Sequence, residues 1–179
     1  MTSPVHRPEP GGPLVLTFGA DIVEVLTQIA RELEQLMASQ LPGPVTDRLF
    51  PRAYLDPTEE AAELEWQAYV HDDLSATKLG NVAELLADLE RAAPTPDGTR
   101  VVTLDEAGEI RWLTVLNDAR LMLGTALGIT EDAEPEFDDD DPRAGGLVLY
   151  AWLGQLQELL VEVLLDEMPE EGTAGEPEY

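Results

Sequence analysis

The sequence predicts a mainly α fold, a bundle of about five helices with two short β-strands packed on it. Three observations carry this. Apolar residues recur at helical spacing in several long stretches, as in Ile22, Leu26, Ile29, Leu33, Leu36 and Met37. Helix start and stop signals stand at the ends of those stretches. Only "LVLTF" (14–18) and "RVVTL" (100–104) have the short apolar character of strands.

Residues 1–13 hold four prolines and two glycines and read as a flexible N-terminal arm. The first strand follows at 14–18. Asp21 and Glu24 have capping-box spacing ahead of a helix over about 20–39, which "LPGP" (41–44) ends. Asp56 is then placed as an N-cap, with Pro57 at N1 and Glu59 and Glu60 in the first turn, for a helix running to about Val70. Asp72 or Asp73 can cap the next helix, over 73–92, which Gly80–Asn81 interrupts and should weaken locally by about 1 kcal/mol relative to alanine.

"PTPDG" (94–98) is a turn, and the second strand follows it. Asp105 can cap a long helix that ends in Gly128, with Ile129 placed for a Schellman contact. An acidic loop occupies 130–141. A last helix opens at Asp141–Pro142, or as late as 147 because of Gly145 and Gly146, and runs to about Met168. Residues 169–179 read as a disordered acidic tail. The organisation is therefore an arm (1–13), one helical domain (14–168) and a tail (169–179). The two strands should pair with each other and lie on the helices, since two strands alone are marginal.

Composition narrows the function. Ten Lys+Arg face 37 Asp+Glu, a formal net charge of −27. Such a surface repels nucleic-acid phosphates and anionic lipid, so neither direct nucleic-acid nor membrane binding is expected. A protein partner with a basic surface fits. The chain has no cysteine, which excludes disulfides, thiolate metal sites and thiol redox switches. The N-terminus lacks a signal-peptide pattern, and "LVLYAWL" (147–153) is too short to span a bilayer, so a cytoplasmic location is expected.

The segment "WLTVLNDARLMLGTAL" (112–127) is apolar around more than half of its helical wheel. Asn117 and Asp118 fall on the remaining face with Thr114 and Thr125, whereas Arg120 projects between Leu113, Leu116 and Leu127. An arginine there must reach a carboxylate or helix-end carbonyls, because burying it unpaired costs several kcal/mol. Asp72, Asp73 and Glu65 are the candidates. Asn117, Asp118 and Arg120 are thus read as a structural polar cluster that docks one helix on its neighbours.

No P-loop, dinucleotide fingerprint, nucleophile elbow or zinc-protease helix occurs. "HDD" (71–73) has no second histidine or cysteine to complete a metal site and reads as a capped junction. No cofactor is expected. Trp66, Trp112 and Trp152 fall within helices and read as core. The sharpest surface feature is "EDAEPEFDDDD" (131–141), with eight carboxylates but no calcium-loop spacing. It is either a solvated linker or a docking strip. As a strip, Phe137 would be the apolar anchor and Asp138, Asp139, Asp140 and Asp141 would meet a basic partner.

Three segments together, "RLFPRAYLD" (48–56), "WLTVLNDARLMLGTALGITED" (112–132) and "LYAWLGQLQELLVEVLL" (149–165), resemble the actinobacterial oxidative-stress-regulator-like (AosR-like) family, long catalogued as a domain of unknown function. The resemblance covers about 14–166. Its most specific part is Leu116, Asn117, Asp118, Arg120, Leu121, Leu123, Gly124, Thr125, Leu127, Gly128 and Ile129. It implies a cytoplasmic, non-enzymatic regulator, often encoded beside the Clp protease adaptor. It also implies redox-responsive transcription control through contact with the transcription machinery. Sensing in the family is attributed to a cysteine pair, and this chain has none, so that mechanism does not carry over. The leading expectation is a regulatory protein-interaction module whose basic partner could be a transcription factor. The competing classes are a carboxylate-dependent hydrolase or metal-binding enzyme, and a structural homodimer that buries part of the last helix.

Overall fold

In the computed structural model the described residues are 3–39, 41–54, 56–130 and 141–166. In order they form β1 (Val5–His6), β2 (Leu14–Gly19), α1 (Ala20–Ser39), α2 (Pro44–Leu49), α3 (Glu60–Trp66), α4 (Asp72–Glu90), β3 (Ala93–Pro94), β4 (Thr99–Leu104), α5 (Glu106–Ala126) and α6 (Ala144–Leu165). A 3₁₀ turn (Pro57–Glu59) leads into α3, and a π turn (Gln67–His71) joins α3 to α4 without leaving helical backbone angles. Because α3 and α4 make one rod, the mainly α fold predicted from the sequence is the fold observed.

The sheet has the antiparallel order β1-β2-β4-β3. β2 and β4 pair over their full length, Leu14 opposite Leu104 and Gly19 opposite Thr99. Along β2 the pleat turns Leu14, Leu16 and Phe18 into the core, and from β4 it turns in Val102 and Leu104. The two strands do pair and lie on the helices, but each also gains a short edge partner that the sequence did not show. β1 corrects the reading of 1–13 as a flexible arm. Val5 sits opposite Leu16 and is buried, and the Thr17 amide donates to the Pro4 carbonyl at 2.8 Å.

α5 is the central helix, packed by α1, α2, α4, α6 and β4. Asp105 caps it, its side chain accepting from the Gly108 amide at 2.8 Å. At the other end Gly128 takes φ +70°, which favours glycine. The Ile129 amide then reaches back to the Gly124 carbonyl at 2.8 Å, closing the Schellman turn. Trp112 is fully buried, stacked on Phe18 with centroids 6.2 Å apart, and its indole N–H donates to Asp88 Oδ2 at 2.9 Å. Trp66 and Trp152 are only half-buried.

Three more elements differ from the sequence reading. α2 forms where only a breaker was expected, because Pro44 presets the first helical φ. Asp72 and Asp73 cap nothing: the π turn carries the helix through them. Gly80 and Asn81 likewise sit inside an unbroken α4. α6 is long and apolar enough to cross a membrane by length and composition, although no single apolar run in it is. Here it packs against α5, burying Leu147, Leu153, Leu156 and Leu160.

Candidate functional site

Four carboxylates are buried, Glu63 on α3, Asp88 on α4 and Glu109 and Asp118 on α5, and each is engaged within the fold. Glu109 accepts from Arg7 Nη1 at 2.8 Å, and the same nitrogen donates to the Gly12 carbonyl, which ties the N-terminal segment to α5. Asp88 accepts from Trp112 and from Arg91 Nη2 at 2.8 Å. Asp118 accepts from Lys78 Nζ at 2.7 Å through both oxygens. Burial raises the Asp118 pKa above the ordinary aspartate value, and the Lys78 ammonium works against that rise.

Glu63 is the fourth. Its Oε2 accepts from the amides of Tyr54 (2.8 Å) and Ala53 (3.0 Å), and its Oε1 from Gln67 Nε2 at 2.7 Å. The Tyr54 amide, then Gln67, nearby Arg52 and the Ala53 amide, hold its pKa below the ordinary glutamate value against the opposing effect of burial.

The structure does not gather Asn117, Asp118 and Arg120 into one cluster. Asn117 is exposed, and Asp118 faces α4. Arg120 faces α6, where Nη1 donates to Gln157 Oε1 at 2.8 Å and Nη2 to the Tyr150 hydroxyl at 3.4 Å. Its guanidinium carbon lies 4.9 Å from the Tyr150 ring centroid. Asp72, Asp73 and Glu65 are not its partners, and among the described residues no carboxylate comes within ion-pair distance of it. A guanidinium only half-buried needs no counter-ion, since an amide, a hydroxyl, a ring face and water can serve it.

Glycines line both sides of the α5–α6 seam, Gly124 in tight approach and Gly154 at ordinary contact distance. A Cβ at Gly154 would stand 3.4 Å from the Arg120 guanidinium, and one at Gly124 would stand 3.1 Å from Tyr150. Arg120→Met should lose the polar contacts and the ring contact, lowering stability by about 1–2 kcal/mol in urea titration. A variant as stable as the parent would remove Arg120 from the docking account.

Of the acidic strip, Asp141 is described. Its carboxylate accepts from the Arg143 backbone amide at 2.8 Å and from the Arg143 guanidinium. Those bonds, the guanidinium foremost, lower its pKa from the ordinary aspartate value. Arg143 Nη1 also donates to the Leu127 carbonyl at 2.9 Å, so this pair ties the end of the loop to the end of α5. Asp141 is thus held internally. Phe137, Asp138, Asp139 and Asp140 lie outside the described residues, as does the tail 169–179.

Among the described residues no three metal-ligating side chains gather. His71 stands beside Asp72 at 3.7 Å and packs on the Phe50 ring with centroids 5.2 Å apart. A cleft of about 490 Å³ between α1 and α4 presents Glu24 and Glu90 together with Arg31 and Arg100. A cleft of about 250 Å³ beside α6 is mostly apolar, lined by Phe18, Ile22, Trp152 and Leu159.

Sequence reasoning missed Lys78 as the partner of Asp118, Arg7 as the partner of Glu109, and Glu63 altogether. Lys78 had one available signal: it is the sole lysine of the chain, on a helix that must bury its apolar stripe near α5.

The chain is 36% identical over 70 residues to oxidative stress regulators of Mycobacterium bovis and Mycobacterium tuberculosis. That match spans 39% of this chain and 32% of the relatives, so it covers about a third of their length. No solved structure matches the chain. A family model, described as a domain of unknown function (DUF2017), matches residues 2–164. It takes in β1 as well as the helices, in keeping with a tethered N-terminal segment. The chain belongs to the DUF2017 family.

Proposed function

We propose that the chain is a non-enzymatic regulatory module that acts by protein–protein contact in oxidative-stress-linked transcription control, in the cytoplasm. The observation that carries the reading is the 36% identity to the mycobacterial oxidative stress regulators. The net charge of −27 supports a partner with a basic surface, a transcription factor being the first candidate class, and argues against nucleic acid or anionic lipid as the ligand. The buried carboxylates are each committed to a structural partner, which favours a docking module over a carboxylate-dependent enzyme. Having no cysteine, the chain itself takes no part in thiol sensing.

Affinity capture with the full chain from native lysate, eluted stepwise with salt, tests the reading. Basic proteins held at low salt and released as the ionic strength rises past about 0.15 M are expected. A captured set that is acidic or neutral and indifferent to salt would overturn it.

A further inference from the structure

The helical segment from Asp56 to Asp73 does little of what a helix of a globular domain normally does. α3 buries one residue, and that residue is Glu63; the π turn buries none. The extensive contacts of α3 are with the turns directly before and after it. What fixes the segment is mainly polar: Glu63 holds the Ala53 and Tyr54 amides and Arg52 Nη2 meets Glu60 Oε2 at 2.6 Å, with His71 packed on the Phe50 ring at its far end.

Two of its large apolar side chains are left in water. Leu64 is 60% exposed and Tyr69 74%, with Val70 next to Tyr69 exposed to a smaller degree. Along the same segment Glu59, Glu65, Asp72 and Asp73 are exposed, Asp56 caps its start through the Thr58 amide, and no lysine or arginine occurs between Arg52 and Lys78. A helical arm with two large apolar side chains in water and a rim of one sign has the make-up of an interaction surface. The π turn within it is a further mark, since such turns concentrate at functional sites.

We propose that the arm 56–73 is the docking element of the chain, and that its occupant is a cationic amphipathic helix of another protein. Apolar side chains of that helix contact Leu64 and Tyr69, which stand at different angles round the arm, and its lysines and arginines face Glu59, Glu65, Asp72 and Asp73. Charge complementarity selects this occupant over a second copy, which would bring a like-charged rim against this one, and over an anionic membrane. The inference rests on the reading of the chain as a protein-interaction module, and it replaces the acidic strip by the arm as the seat of binding.

The probe is a labelled synthetic helix of leucine and lysine about five turns long, with a leucine–glutamate helix of the same pattern as control. Binding to the full chain is read by fluorescence anisotropy at about 0.15 M and 0.5 M salt. The double variant Leu64→Ser/Tyr69→Ser is compared with Val148→Ser/Leu165→Ser, which removes two similarly exposed apolar side chains from α6. The arm variant is expected to bind the cationic helix at least about tenfold more weakly and the α6 variant within about twofold of the parent, with no binding of the acidic helix. Thermal melting of both variants confirms that they fold.

Equal weakening by both variants, or none by either, overturns the arm as the docking element even if lysate capture still returns basic proteins. Sedimentation showing a dimer of the parent that the arm variant dissolves would overturn the assigned occupant in favour of a second copy.

Discussion

Lys78→Met should destabilise the protein by about 3–5 kcal/mol at neutral pH, because it leaves Asp118 ionised and unpaired inside the helix bundle. Asp118 already titrates above the ordinary aspartate value through burial, and loss of the ammonium removes what opposes that rise. The sign of the pH dependence follows. In the variant the folded state binds a proton more readily than the unfolded chain does, so protonation favours folding. The deficit relative to the parent is largest above the folded-state pKa and shrinks as pH falls through it toward the ordinary aspartate value. Urea titrations of both proteins at pH 7.5 and pH 5 check this. Replacing both partners, as in Lys78→Met/Asp118→Leu, should recover most of the loss, since an apolar pair of similar volume fills the site without a stranded charge. A deficit that grows toward low pH would contradict the assignment of the pair.

Trp112→Ala is the second large effect. The indole is fully buried between β2 and α4, against Phe18 and Asp88. Truncation to alanine costs about 3–5 kcal/mol through lost burial and the cavity left behind. For a chain of this size that lowers the melting temperature by on the order of 10 °C. Trp112→Phe keeps most of the volume but leaves Asp88 Oδ2 without its indole donor, so a smaller loss of about 1–3 kcal/mol is expected. Should the alanine variant melt with the parent, α5 would not be the centre of the core.

Where a local signal decides the structure, the sequence reading and the fold agree. α1 spans 20–39 because its stripe and the breaker after it are both local, and Asp105 and Gly128 mark the two ends of α5 through their own backbone chemistry. Where the deciding partner is distant, the reading fails. Four prolines and two glycines make 1–13 look loose, yet Val5 finds a slot beside Leu16 and Arg7 reaches Glu109 across 102 positions. The same holds for Asp118 and Lys78, 40 positions apart. Asp72 and Asp73 show a subtler failure: acidic residues suit a first turn, but the π turn keeps the chain helical and leaves them nothing to cap.

The segment that carried the family resemblance has a physical account in the fold. Asp118 bonds Lys78 of α4, Arg120 bonds Gln157 of α6, Gly124 gives room to Tyr150, and Gly128 ends the helix. These residues dock helices on one another.

The most direct test of the proposed function is the association rate of a captured basic partner with the immobilised full chain, measured across a salt series. Steering by the acidic surface predicts a rate that falls steeply from about 0.05 M to 0.5 M salt while dissociation changes little. An association rate that holds constant across the series would contradict recognition through surface charge.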